Sequence, residues 1–248
     1  MGENSEKDPR KAFRQQLSKA REDRYFGNQN RIDEETRLAD FNLSPWIVYT
    51  RDAKDYVDLF APIFPEIKEL SEKFKDQHER GEEVLVVDLL GEANAWSLGA
   101  DHSICFTRTR DPKAADDTKT VVEGDLYLDK DVRRLLQTVD FFKVPISCVF
   151  CKPVAGIKGD KHSAYSFKRL YDVLASLYAR LASEGDMYIR LLYMHDSMEI
   201  LSEKLNSLSP PQSFCDYAED GASGCLHIVK EEWAPHKLPT LKEMLRRS

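Results

Sequence analysis

Apolar positions along the chain alternate between short continuous runs and longer stretches in which they recur every three or four residues. Val84-Leu85-Val86-Val87-Asp88-Leu89 is apolar and β-branched up to its acid, as expected of a strand buried on both faces of a parallel sheet. Ser103 to Thr107, Thr120 to Val122, Val144 to Phe150 and Met187 to Tyr193 predict four more strands. Helical spacing connects them. Tyr56, Leu59, Phe60, Ile63, Phe64, Ile67, Leu70 and Phe74 form one stripe, broken by Pro62 and Pro65. Val132, Leu135, Leu136 and Val139 form another, which Asp129 would cap. Phe167, Leu170, Tyr171, Leu174, Leu177, Tyr178 and Leu181 mark a long amphipathic helix that Gly185 would stop. Asp196 and Glu199 have capping-box spacing ahead of Ile200, Leu201, Leu205 and Leu208. Thr240 and Glu243 repeat that spacing on a short C-terminal helix. After Pro210-Pro211, runs around Phe214 and Leu226–Val229 flank an Asp/Gly/Ser turn and predict a closing hairpin.

Strands alternating with helices and then a hairpin predict an α/β, Rossmann-like doubly wound fold, a mostly parallel sheet with a terminal antiparallel hairpin. Residues 1–40 are polar and charge-rich, with a weak stripe (Phe13, Leu17, Ala20) that could dock on a protein partner; otherwise they form a solvated arm. The α/β domain is expected over 41–233 and a helical tail over 234–248.

Composition narrows the class. The chain has 248 residues, 42% of them hydrophobic, enough for one sizeable core. No apolar run reaches membrane-spanning length, and Met1–Arg10 is polar, unlike a signal peptide. Glu6 also breaks the myristoylation pattern. Five cysteines fit free thiols in a reducing compartment, so an intracellular location, cytoplasmic or nuclear, is expected. The formal charge of −7 argues against a bulk polycation. Its distribution removes that objection. Residues 52–92 hold twelve acids and five bases, the whole excess, while Lys143 to Arg169 hold six bases (143, 152, 158, 161, 168, 169) and one acid, Asp160.

Ligands of open α/β sheets gather at the carboxyl ends of the strands. Here those ends carry Asp88, the Gly91–Trp96 loop, Thr107 and Arg108, Asp125, Lys152 and Arg190. Acids closing strands one and three suit hydroxyls or amino groups of a nucleoside, although Asp88 could serve only to cap the next helix. There is no Gly-x-Gly-x-x-Gly, no Walker lysine motif and no Gly-x-Ser-x-Gly elbow. The six histidines show no pair at helical ligand spacing, so no metal site is expected. Cys148 and Cys151 lie three apart in a strand and should face opposite ways, as buried thiols rather than a zinc or redox pair.

The run from Val87 to Ser97 resembles the S-adenosylmethionine methyltransferase fold, and more narrowly the FtsJ-type ribose 2′-O-methyltransferases. The first motif of that family reads roughly Asp-Leu-Gly-x-x-Pro-Gly-Gly-Trp-Ser. Asp88, Leu89, Trp96 and Ser97 fall in register, and Gly124-Asp125 resembles the Gly-Asp of the adenine pocket. The resemblance spans about residues 65–230. It implies a methyltransferase fold with S-adenosylmethionine held near Asp88, Leu90, Gly91, Trp96 and Asp125. It also implies a catalytic set of two lysines, an aspartate and a glutamate acting on a ribose hydroxyl. Departures are pronounced. Leu90, Glu92 and Asn94 replace small residues of the cofactor loop. By register Lys152 replaces the aspartate, Arg190 the strand-five lysine and Cys225 the glutamate, while Lys68 matches the first lysine. Both acids are gone. An arginine is a poor proton acceptor, and Lys152 cannot act as a carboxylate.

Two functions are compatible with this pattern. The first is an FtsJ-like S-adenosylmethionine-dependent methyltransferase, RNA-related, working with the degenerate set Lys68, Lys152 and Arg190, since methyl transfer can proceed largely by proximity. The second is a pseudo-methyltransferase that binds RNA, another anionic partner or a protein. A nucleotide-dependent oxidoreductase is disfavoured by the missing glycine fingerprint. The substituted cofactor loop leads us to expect a seven-stranded methyltransferase-like sheet with reduced or absent S-adenosylmethionine affinity.

Overall fold

The structure is a computed structural model that describes residues 52–107, 119–126, 128–152, 164–192, 194–208, 212–221 and 223–240. The stripe ahead of the first strand breaks at its prolines into helix α1 (Ala53–Phe60), a 3-10 turn (Pro65–Glu69) and helix α2 (Leu70–Glu79). Asp52 and Asp55 close a capping box on α1. Strands β1 (Leu85–Leu89), β2 (His102–Thr107) and β3 (Thr120–Glu123) come next, with a short 3-10 turn (Trp96–Leu98) after β1. Then come α3 (Asp129–Phe142), β4 (Ile146–Cys151), α4 (Ala164–Tyr178), β5 (Leu181–Leu192), α5 (His195–Asn206), β6 (Cys215–Asp220) and β7 (Ser223–Val229).

The strands make one seven-stranded sheet in the order β3-β2-β1-β4-β5-β7-β6. All neighbours are parallel except β5–β7 and β7–β6, which are antiparallel. This is the Rossmann-like methyltransferase fold expected from the sequence, with β4 beside β1. One face of the sheet carries Leu85, Val87, Leu89, Val149 and Ile189 and packs on α3, α4 and α5. The other carries Val86, Cys148, Phe150 and Tyr188 and packs on α1, the 3-10 turn and α2. Both faces are covered, which is why β1 reads as an unbroken apolar run. Cys148 and Cys151 join opposite cores, and the five cysteines are free and buried.

Several boundaries differ from the sequence expectation. Asp129 does not cap α3: Leu128 takes the extended cap position without a side-chain bond, and Asp131 Oδ2 accepts from the Asp125 N–H at 3.0 Å. Asp196 likewise lies inside α5, whose cap is Met194. Gly185 does not stop α4, which ends at Tyr178. It lies within β5 beside an irregularity where Glu184 adopts φ +63°. A Cβ at Gly185 would stand 3.1 Å from the Ile146 carbonyl oxygen, a tight contact across the close strand approach. The N-terminal arm and the helix expected around Glu243 lie outside the described residues. No helix among the described residues is long and apolar enough to cross a membrane.

Candidate functional site

The carboxyl ends of β1 and β4 meet in register, Leu89 opposite Cys151, so Asp88 and Lys152 come from neighbouring strands. Beyond β1 the chain reverses sharply. Leu90 adopts φ +71° and its N–H donates to the Phe106 carbonyl at 2.8 Å. A left-handed leucine costs about 1–2 kcal/mol, which the surrounding contacts must offset.

Asp88 is 1% exposed. Its Oδ1 accepts from the Tyr56 hydroxyl at 2.8 Å and its Oδ2 from the Ala93 N–H at 2.6 Å. Burial pushes its carboxyl up to about 7, against the pull of those two donors and of the Lys119 charge. Gly91 presses on the same group. A Cβ there would stand 2.4 Å from Asp88 Oδ2.

The rest of the loop is tied down as well. Lys119, buried at the start of β3, donates to the Glu92 carbonyl at 2.6 Å and lies 3.9 Å from its carboxylate. The Ala53 N–H donates to the Asn94 carbonyl at 2.8 Å, Asn94 Oδ1 accepts from the Trp96 N–H, and the Ser97 hydroxyl donates to Asp52. Ala93 and Ala95 are buried. A cofactor loop needs its Cβ-free positions and free N–H groups turned toward the ligand. Here the Cβ-free side of Gly91 faces Asp88, and the Ala93 N–H is spent on the same acid. Glu92 adds a carboxylate to this loop, set against Lys119. These residues fit a turn closed on itself and do not fit S-adenosylmethionine.

Gly124 packs inward too, with a virtual Cβ 2.8 Å from Asp131 Cβ and 2.9 Å from Phe106. Asp125, partly buried, receives its backbone support from Asp131. Trp96 is the contrasting residue, 70% exposed on its 3-10 turn.

Lys152 is 8% exposed. Burial, and next the Arg190 charge, push its ammonium down to about 8, while Asp88 and Asp55 pull the other way. Arg190 lies opposite Cys225 on β7 and pairs with Asp220 at 2.6 Å, an acid brought in by the hairpin. Lys68 comes from the other side of β1 in the chain. It is exposed on the Pro65–Glu69 turn and has no hydrogen bond or ion pair among the described residues. Of the basic segment, Lys168 pairs with Asp172 and Arg169 with Asp129; Lys158 and Lys161 lie outside the described residues.

No protein-family model and no curated protein matches the sequence. Among solved structures, one similar chain is assigned as a ribosomal RNA methyltransferase from Plasmodium falciparum, at 9% identity and TM-score 0.44, covering 67% of this chain and 98% of that one. An rRNA methylase from Streptococcus thermophilus shows 10% identity and TM-score 0.37 over 61% and 88% of the two chains. The MycE methyltransferase of the mycinamycin pathway, in complex with Mg and SAH, shows 11% identity and TM-score 0.39, over 73% of this chain and 54% of that one. At such identities and scores the fold rests on the strand order of this chain itself.

Tyr56, Lys119 and Asp220 escape sequence reading. Tyr56 passes for one more apolar position of a helical stripe, and only its buried hydroxyl, which needs a partner, gives a hint. Lys119 and Asp220 reach Glu92 and Arg190 from other elements, over separations no local pattern records.

Proposed function

We infer that this chain is a catalytically silent member of the methyltransferase fold, a module that holds an anionic partner such as RNA near the carboxyl edge of the sheet. One observation carries this reading: the loop where the cofactor belongs is closed from inside by Asp88, Gly91, Ala93 and Lys119. The loss of both acids from the FtsJ-type set supports it. So does the engagement of Arg190 with Asp220, since a guanidinium in an ion pair is no proton acceptor. Exposed Trp96 offers an aromatic face for a base, and stacking of that kind is worth about 1–3 kcal/mol per base.

Titration calorimetry with S-adenosylmethionine tests the silent reading. No heat of binding is expected, and micromolar affinity overturns it. For the partner, fluorescence anisotropy with single-stranded RNA should show salt-dependent binding that weakens in Trp96→Ala and Lys152→Glu. Equal affinity and salt slope in wild type and both variants defeats the RNA reading.

A second reading has one observation in its favour. A lysine pushed down to about 8 can accept a proton near neutrality, so Lys152 suits a general base for an incoming hydroxyl. Cofactor binding in the same calorimetry would favour it.

A further inference from the structure

The most polar buried cluster lies away from the loop, on the face covered by α1, the 3-10 turn and α2. His227 of β7 is 3% exposed and stacks on Tyr188, ring centroids 4.4 Å apart and planes 4° from parallel. Its Nε2 lies 2.9 Å from Oδ1 of Asp186, itself 1% exposed. Asp186 also accepts from Lys73 Nζ at 3.0 Å. With Asp186 as a carboxylate, Nε2 is the protonated nitrogen and donates, leaving the lone pair on Nδ1.

Nδ1 is buried and makes no hydrogen bond among the described residues. It is aimed at Glu66 Oε1, 2.8 Å away yet off the line an N–H would need. Asp216, directly opposite His227 in the β6–β7 register, brings a second carboxylate. One ligand atom from each of Glu66, Asp216 and His227 falls within 4.8 Å of the others. The bare Nδ1 of a neutral imidazole and a carboxylate oxygen repel at this distance, and either a second ring proton or a metal cation shared by the two relieves the contact. Two ligands bound at about 2.1 Å on one tetrahedral metal stand about 3.4 Å apart, so the Nδ1–Oε1 pair needs to open by about half an ångström to share an ion. Three carboxylates (Glu66, Asp186, Asp216) against one ammonium (Lys73) leave the surroundings of His227 negative.

We propose that Glu66, Asp216 and His227 bind a divalent transition-metal ion such as zinc, with Asp186 as the positioning residue that fixes the His227 tautomer. A carboxylate on the far nitrogen of a metal-bound histidine is the usual orienting arrangement, and it raises ligand basicity. One nitrogen and two oxygens suit zinc or cobalt better than magnesium, which prefers oxygen and water. Three protein ligands leave a position for water. The ion would join the Pro65–Glu69 turn to the edge strand β6 through β7. Glu66 is half-exposed and Asp216 exposed, so an ion can enter from solvent.

The test uses the full chain, stripped with a chelator and dialysed against zinc. One equivalent is expected to bind and to raise the melting temperature, whereas magnesium should do neither. Glu66→Gln and Asp216→Asn change accessible side chains, so both variants should fold as the metal-free wild type does. Affinity should fall roughly tenfold or more in each, and comparably in Asp186→Asn. Cobalt substitution separates this site from the five cysteines: ligand-field bands are expected without a thiolate charge-transfer band. Absence of stoichiometric zinc, unchanged affinity in Glu66→Gln and Asp216→Asn, or a thiolate band overturns the proposal.

Discussion

The Tyr56 hydroxyl donates to Oδ1 of Asp88 across 2.8 Å, tying α1 to the end of the central strand through a fully buried bond. The Tyr56 ring lies over Phe150, centroids 4.6 Å apart, so Tyr56→Phe removes the donor and keeps the stack. A buried acceptor left one partner short costs about 1–3 kcal/mol, and urea denaturation should show that loss. No measurable change would mean that the bond is not formed in solution.

Asp88 gives stability a pH dependence. Its carboxyl stands at about 7 in the folded protein against an ordinary 3.8, so the folded state holds the proton more tightly than the unfolded chain. This contribution is fully present below 3.8 and is lost as pH rises toward about 7. Asp88→Asn does not titrate. Wild type should therefore lose stability relative to Asp88→Asn across that window in parallel unfolding titrations, and a flat difference would contradict it.

Lys152 runs the other way. Its ammonium stands at about 8 against 10.5, so the charged form is disfavoured by folding and stability recovers as pH rises through that interval. Lys152→Met should stabilise the protein at neutral pH, with a gain that shrinks above about 8. Arg190→Gln removes the neighbouring like charge and should raise the Lys152 titration midpoint in lysine NMR.

Glycines separate by what they face. Gly91→Ala places a methyl 2.4 Å from Asp88 Oδ2, and Gly124→Ala places one 2.8 Å from Asp131 Cβ. Overpacking of this kind costs about 1–3 kcal/mol. Gly99→Ala meets nothing within 4 Å, and its φ of +94° leaves only backbone strain. Thermal unfolding should rank Gly91→Ala and Gly124→Ala below Gly99→Ala.

Removing Asp186 breaks two contacts at once. It leaves Lys73 without its partner and His227 without its Nε2 contact. Breaking a buried pair from one side costs about 3–5 kcal/mol. Asp186→Ala should approach that in chemical denaturation, with Lys73→Met milder because Lys73 is 42% exposed and its loss spares the His227 contact.

The layered fold was legible because periodicity is a local property. Val84 to Leu89 could only be a strand covered on both faces, and the stripe from Tyr56 to Phe74 broke into helices where its prolines required. Helix caps were less legible. Asp129 and Asp196 have the right chemistry for a cap, but the chain enters each helix from an earlier residue, Leu128 or Met194, neither of which makes a side-chain cap bond.

Residue identity and spacing within single elements were enough for the class of fold and for the burial of Cys148 and Cys151 on opposite faces. Long-range packing assigned the surviving polar groups their roles. Asp88 turns inward because Tyr56 and Ala93 satisfy it, Gly91 leaves room for the Asp88 carboxylate, and Arg190 is answered by Asp220. His227 meets Asp186, Asp216 and Glu66 from three other elements. A buried polar group takes its role from the partner that satisfies it, and strand pairing and helix docking choose that partner across long stretches of chain.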